Sequence, residues 1–195
     1  MLLSHDQHPD NLDNAGRTFL ASAPVVFTTP EAAERLGGNA RALLSWETDE
    51  LRCPNGGLLR VTGVPARHGP VGCEPLTGQV TGFVLSGTNL PTTYVSGDNA
   101  SLDLVREVAE RCGPIEVALI FAGAARTPLV DAPLTLTSAE AAEAAGILGA
   151  RTVVPLHIEG WEHFTEGPDT VVEAFAAAGL SHLLVALAPG NSATV

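Results

Sequence analysis

Six side chains of the kinds that bind transition metals stand in short clusters along this chain: His5, His8 and Asp10, then His68, Asp98 and His157. Neutral imidazole combined with carboxylate suits zinc, and also accepts iron or manganese. Such a set predicts hydrolysis, because a metal lowers the pKa of a water to about 7 and polarises a carbonyl or phosphoryl oxygen. Asp10 or Asp98 is expected to orient that water and take its proton. His163, close behind His157, is a candidate proton donor or anion contact, with a plain surface histidine as the alternative.

Singly, each piece also has an ordinary reading. His-x-x-His-x-Asp fits a solvated turn, a lone His68 or His157 fits a hydrogen-bonded structural histidine, and Ser96-Gly97-Asp98 fits a turn. Their placement together is what separates them from these readings. Each follows a short apolar segment: Leu2-Leu3, Val64-Pro65, Tyr94-Val95 and Val153-Val154-Pro155-Leu156. In sheet proteins, ligands gather where strand ends open into loops. Beside these, Arg67 is either a substrate-phosphate contact or part of a surface salt bridge, and Trp161 reads as packing.

The positioning elements follow from periodicity and turn chemistry. Residues 1–4 read as the tail of a strand, and 11–20 as a helix with Leu12, Ala15, Phe19 and Leu20 on one side. A strand is expected at 25–27 and a helix at 31–36, with Pro30 before it and Gly37-Gly38 closing it. Strands are expected at 42–46, 51–53, 58–64, 79–85 and 92–95. Polar turns at 47–50 and 54–57 and a Gly/Pro-rich loop at 69–78 separate them. Beyond residue 100 the pattern alternates: helices at 102–111, 138–148 and 170–178, strands at 117–121, 152–156 and 183–187. Thr137 followed by Glu140 offers a capping box. No repeat, low-complexity tract or linker interrupts residues 1–195, so one α+β domain is expected.

Composition narrows the function. The 195 residues are 45% hydrophobic but only 5% aromatic, so Ala, Leu and Val must fill a core of helices on sheets. The net charge is −12 and no basic run occurs, which argues against nucleic-acid binding and against attachment to anionic membranes. A small phosphorylated substrate held by one or two arginines remains compatible. Cys53, Cys73 and Cys112 form no CxxC pair, against a disulfide framework or a cysteine zinc knuckle. No apolar run is long enough for a membrane span and no secretory signal opens the chain, so a cytoplasmic location is the default.

Ser4-His5-Asp6-Gln7-His8-Pro9-Asp10-Asn11, followed by His68, Asp98 and His157, resembles the metallo-β-lactamase superfamily. The motif of that family is Thr/Ser-His-x-His-x-Asp-His after a strand, then a distant His, an Asp after a strand, and a late His. The resemblance implies a four-layer αββα sandwich with one or two metal ions, zinc foremost and Mn2+ or Fe as alternatives. His5, His8 and His68 would serve one ion, Asp10 and His157 the other, with Asp98 between them. Pro155-Leu156-His157-Ile158-Glu159-Gly160-Trp161 and the compact length are similar to the ascorbate-6-phosphate lactonase-like branch.

Three departures qualify what the resemblance implies. Two residues, not one, separate His5 from His8, which makes the reach of His5 the open point. Asn11 replaces the last histidine, which implies one tight metal and a weaker second. The motif begins at Ser4, whereas family members carry further strands before it, so a missing N-terminal segment is expected. The function implied is metal-dependent hydrolysis of a small ester, lactone or phosphodiester. The alternative is a catalytically impaired ligand- or partner-binding module, and assembly into homo-oligomers stays open. A Rossmann nucleotide binder fails for want of Gly-x-Gly-x-x-Gly after the first strand, and a serine hydrolase for want of Gly-x-Ser-x-Gly.

Overall fold

A computed structural model describes residues 1–54 and 56–194. Its larger sheet has six strands in sequence order: β3 (Thr48–Arg52), β4 (Leu58–Pro65), β5 (Thr81–Gly87), β6 (Leu90–Val95), β7 (Val117–Phe121) and β8 (Thr152–Leu156). The strands β3 to β6 are antiparallel hairpin neighbours, and β6, β7 and β8 run parallel. The parallel pairs need crossovers, supplied by α4 (Leu102–Cys112) and α5 (Ser138–Leu148). A smaller parallel sheet joins β1 (Val26–Thr28) to β2 (Ala40–Ala42), and Leu2 adds a parallel bridge to Phe27.

Strand alternation sorts side chains into three cores between four layers. Val84 of β5 and Tyr94 of β6 face α4, α5 and α6 (Pro168–Ala177), together with Ala118, Ile120, Ala141, Ala145 and Phe175. Their neighbours Phe83 and Val95 turn the other way and meet Phe27, Leu43 and Val61 between the sheets. Val26 points outward from β1 to Leu12 and Leu20, next to α1 (Asn14–Leu20) and α2 (Pro30–Leu36). The expected αββα layering is thus present, with a second sheet of two strands and one bridge.

Helix ends follow the expected chemistry. Thr137 and Glu140 form the capping box of α5, and Gly149 ends it in the left-handed region at φ 62°. Thr29 caps α2, with Pro30 in its first turn.

Several sequence expectations are corrected. The first helix starts at Asn14 because Asp13 is its cap, accepting from Gly16 N–H at 2.6 Å. Ala15 and Phe19 on it are exposed, and Phe19 retains 66% of its surface. The strand expected at 42–46 ends at Ala42. Beyond it the chain turns, with Trp46 at φ 71° and the Glu47 carboxylate accepting from Leu44 N–H. The expected turn at 47–50 is instead the start of β3, an edge strand whose Thr-Asp-Glu-Leu-Arg sequence half-buries one face, at Asp49 and Leu51, and exposes the other. The loop at 69–78 contains a single helical turn, α3 (Glu74–Thr77). In place of a last strand at 183–187 there is a 3-10 turn at Ser181–Leu183 and one bridge, Leu184 to Val153. The next β8 residue able to pair on that edge is Pro155, which has no N–H to offer. Asn55, in the turn expected at 54–57, lies outside the described residues.

Candidate metal centre

Four chain segments end at one point. The loop after Leu3 is held by Thr81 N–H, which donates to the Ser4 carbonyl at 3.1 Å. Ser4 Oγ in turn accepts from Asp98 N–H at 3.2 Å, which ties the first motif to the end of β6. Gly97 makes this approach possible. It sits at φ 57°, and a Cβ there would stand 2.4 Å from the Thr81 carbonyl and 2.7 Å from Ser4 Oγ. At the end of β8, His157 itself adopts φ 59°, a conformation that non-glycine residues rarely take and that recurs at functional sites.

The side chains form two groups that share Asp98. His5 Nε2 lies 2.9 Å from His8 Nδ1, and His68 Nε2 lies 3.3 Å from the same atom. Asp98 Oδ2 stands 4.0 Å from His5 Nε2 and 3.6 Å from His68 Nε2. On the other side, His157 Nε2 is 3.1 Å from Asp10 Oδ2 and 3.9 Å from Asp98 Oδ1. Within each of the sets His5–His8–His68–Asp98 and Asp10–Asp98–His157, the ligand-type atoms all lie within 4.8 Å of one another. The extra residue after His5 does not remove it from the cluster, because His8 turns its nearer nitrogen, Nδ1, to the centre.

The first set fits a metal ion on its own geometry. Ligand atoms about 2.0–2.2 Å from a four-coordinate ion stand roughly 3.3–3.5 Å apart, and the spacings of 2.9 to 4.0 Å bracket that. On the side of the second set, Asp98 Oδ1 is buried with no hydrogen-bond partner among the described residues, a costly state for a carboxylate unless a cation serves it. His68 Nδ1 lies 2.7 Å from the Leu134 carbonyl, to which it donates, so its Nε2 lone pair faces the cluster.

Electrostatics separate the two sides. Burial outweighs the attraction of Asp98 and lowers His5 to about 4, so its imidazole is neutral at neutral pH. Burial also lowers His8, with His68 adding to the effect. Burial pushes Asp10 up, but hydrogen bonds from His157 and His163 together hold it well below the usual carboxylate range. For His157 burial opposes the charge, yet the Asp10 hydrogen bond and Asp98 raise it.

The remaining expected residues are also placed. His163 Nε2 sits 2.9 Å from Asp10 Oδ2, at the wall of a cavity of about 430 Å³ that also exposes His8, Asp10 and His68. Asn11 donates to Asp98 Oδ2 at 2.8 Å, in the position expected of a final histidine. Arg67 forms no salt bridge among the described residues. Its guanidinium donates to the Gly69 carbonyl at 3.3 Å and is absent from the residues lining that cavity. Trp161 is 41% exposed and not packed in a core, with its ring 6.1 Å from that of His163. Sequence reasoning missed the loop from Ala125 to Leu134, which lines the cavity and supplies the carbonyl that orients His68. Backbone groups and apolar side chains leave no ligand-type signal to find.

Comparison with known proteins agrees with this geometry. The model of the Beta-lactamase superfamily domain matches residues 2–158. The chain is 27% identical to a UPF0173 metal-dependent hydrolase of Pyrococcus abyssi, over 98% of this chain and 79% of that protein. A UPF0173 metal-dependent hydrolase of Methanosphaerula palustris is 28% identical over 84% of this chain and 72% of its own. Among solved structures, the isothiocyanate hydrolase from Delia radicum gut bacteria superposes with a TM-score of 0.83 at 20% identity, covering all of this chain and 75% of that one. A metallo hydrolase from Ignicoccus hospitalis gives a TM-score of 0.74 at 20% identity, covering 97% and 76%. At such identities the superpositions speak for the fold alone. With the family model spanning most of the length and the αββα layers in place, the chain belongs to the metallo-β-lactamase superfamily.

Proposed function

We propose that this chain is a metal-dependent hydrolase acting on a small ester, lactone or phosphodiester. The convergence of His5, His8, His68 and Asp98 within 4.8 Å carries this reading, and the names of the Pyrococcus and Methanosphaerula relatives support it. His5, His8, His68 and Asp98 would hold the first ion, with zinc the best match to three imidazoles and a carboxylate and manganese or iron as alternatives. Asp10, Asp98 and His157 would hold a second. Asn11 occupies the place of an imidazole there, so that site is the weaker. When bound, the metal supplies Lewis acidity, making water acidic enough to react near neutral pH and polarising the scissile carbonyl or phosphoryl group.

The protein groups have distinct parts in this reading. Asp10 is held as a carboxylate by His157 and His163, so it is an ionised acceptor placed to orient the attacking water. His163, 36% exposed at the cavity wall, donates to Asp10 through Nε2 and is placed to pass a proton on to the leaving group. Asp98 spans both sets and orients the water between them. The pocket walls limit access by bulk water and hold a small substrate against these groups.

The test is elemental analysis and turnover on the same samples. Wild-type protein is expected to hold zinc, manganese or iron and to hydrolyse at least one of p-nitrophenyl acetate, a γ-lactone or bis-p-nitrophenyl phosphate. His68→Ala and Asp98→Ala are expected to lose metal and to lower kcat/KM by at least about 10²-fold while the folded far-UV circular dichroism spectrum is retained. Unchanged turnover in both variants sinks the assignment. A folded, metal-poor protein without turnover favours the binding-module reading, which Asn11 and its bond to Asp98 would then explain.

A further inference from the structure

The cavity beside the candidate metal centre has a mixed lining. It combines the polar side chains of His8, Asp10, His68 and His163 with the apolar side chains of Leu76, Pro128, Leu129 and Leu134. The two leucines in its lining, Leu76 and Leu129, are 60% and 75% exposed, and with Pro128 and Leu134 they give the cavity apolar surface for a ligand's carbon skeleton. One arginine lines this cavity, Arg126.

Arg126 stands out among the basic residues by lining this cavity without an ion-pair partner among the described residues. All ten basic residues of the chain are arginines. Six of them pair with carboxylates: Arg35, Arg41, Arg60, Arg106, Arg111 and Arg151. Arg17 and Arg67 donate to backbone carbonyls. Among the described residues the side chains of two arginines do neither: Arg52, exposed at the end of the edge strand β3, and Arg126, which lines the cavity. The backbone of Arg126, by contrast, is fixed. Arg126 N–H donates to the His163 carbonyl at 3.0 Å, and the Ala125 carbonyl beside it accepts from Leu134 N–H at 2.7 Å. The same loop therefore orients His68 through the Leu134 carbonyl, contacts His163 and presents Arg126 to the cavity.

A guanidinium left without a carboxylate, in a chain of net charge −12, is available to an oxyanion brought by a ligand. We infer that Arg126 is a specificity-determining residue and that the substrate is an amphipathic anion. Its carboxylate or phosphate meets Arg126, its apolar body lies on Leu76, Pro128 and Leu129, and its scissile bond faces the histidines and Asp10. The inference rests on the hydrolase reading for the scissile bond, but not for the recognition of the anion and the apolar body. Arg67, beside His68 in sequence, donates through Nε to the Gly69 carbonyl and does not line this cavity.

Binding and turnover separate the two claims. Calorimetry on metal-free protein, kept in chelator, is run with 4-phenylbutyrate, 4-phenylbutylphosphonate and the neutral 4-phenylbutanamide. Wild-type protein is expected to bind one or both anions about tenfold more tightly than the amide, and Arg126→Gln to remove that preference. Arg126→Lys should restore part of it. The carboxylate and phosphonate arms show which oxyanion is preferred. In the metal-loaded enzyme, the ratio of kcat/KM for mono-p-nitrophenyl succinate to that for p-nitrophenyl butyrate should fall about tenfold in Arg126→Gln, chiefly through KM. Equal affinity for acid and amide, no binding of any probe, or an unchanged preference in Arg126→Gln overturns the inference. Anion preference without turnover of any ester, lactone or phosphodiester overturns the hydrolase reading and leaves the role of Arg126 standing.

Discussion

Asn11 is the residue on which the metal stoichiometry turns. Its amide nitrogen donates to Asp98 Oδ2 and sits 3.5 Å from His157 Nε2, among groups that otherwise form a second ligand set. An amide is a neutral and weak ligand beside an imidazole. Purified wild-type protein is therefore expected to hold clearly fewer than two metal equivalents, and Asn11→His to approach two, by elemental analysis after dialysis. Two tightly held equivalents in the wild type would refute this. Residue-scale reading also located the ligand-type groups without a structure, because histidines and aspartates with these spacings have few ordinary uses together. It left the reach of His5 open. Ring orientation decides that point, and His8 answers it by presenting Nδ1.

At the scale of elements, the site depends on close backbone contacts and on two helices. Gly123, just beyond β7, lies against the end of β8: a Cβ there would stand 2.2 Å from the His157 carbonyl. Gly123→Ala is expected to displace His157, to lower kcat/KM at least about tenfold and to destabilise the fold by about 1–3 kcal/mol, read by kinetics and thermal unfolding. The motif loop is held from the other side by α1 and α2. Arg17 in the last turn of α1 donates to the Asp6 carbonyl at 2.7 Å, and Arg35 in the last turn of α2 makes a two-pronged contact with the buried Asp6 carboxylate. Hydrogen bonds from Arg35 hold Asp6 below the usual carboxylate range. A carboxyl lowered on folding adds stability above its unfolded pKa of about 4, and that stability is lost as the pH falls through the folded value. Arg35→Ala is accordingly expected to cost about 1–3 kcal/mol at pH 7 and progressively less below pH about 4, by denaturant unfolding across pH. An equal cost at pH 7 and pH 2 would remove the ion pair from the account.

The whole molecule brings to one place ligands that are far apart in sequence. His5 and His8 come from the loop before the small sheet's helices, His68 and Asp98 follow β4 and β6, and His157 ends β8. An ion that binds this arrangement and not the unfolded chain must stabilise the fold by mass action. Chelation is expected to lower Tm by several degrees, since about 1 kcal/mol moves Tm by roughly 2–4 °C at this size, and readdition of zinc to restore it. A Tm indifferent to chelator would show that no ion is held by the folded state. Among the described residues no helix is long and apolar enough to cross a membrane.

The sequence by itself determined the three helices after residue 100, the strands at 117–121 and 152–156, the capping box at Thr137, and the residue types of the site. Their signals are local: buried strands such as Val117–Phe121 are continuous apolar runs, and a cap is a side chain beside its own backbone. Edge elements were not legible, because β3 half-buries only one face, at Asp49 and Leu51, and Leu184 forms a single bridge, to Val153. Tertiary structure alone decided three things: that Asp98 is shared by both ligand sets, that Arg67 donates to the Gly69 carbonyl, and that Arg126 lines the cavity with no side-chain partner among the described residues. Each of these is set by how the sheets and loops pack, and so is carried by no local pattern.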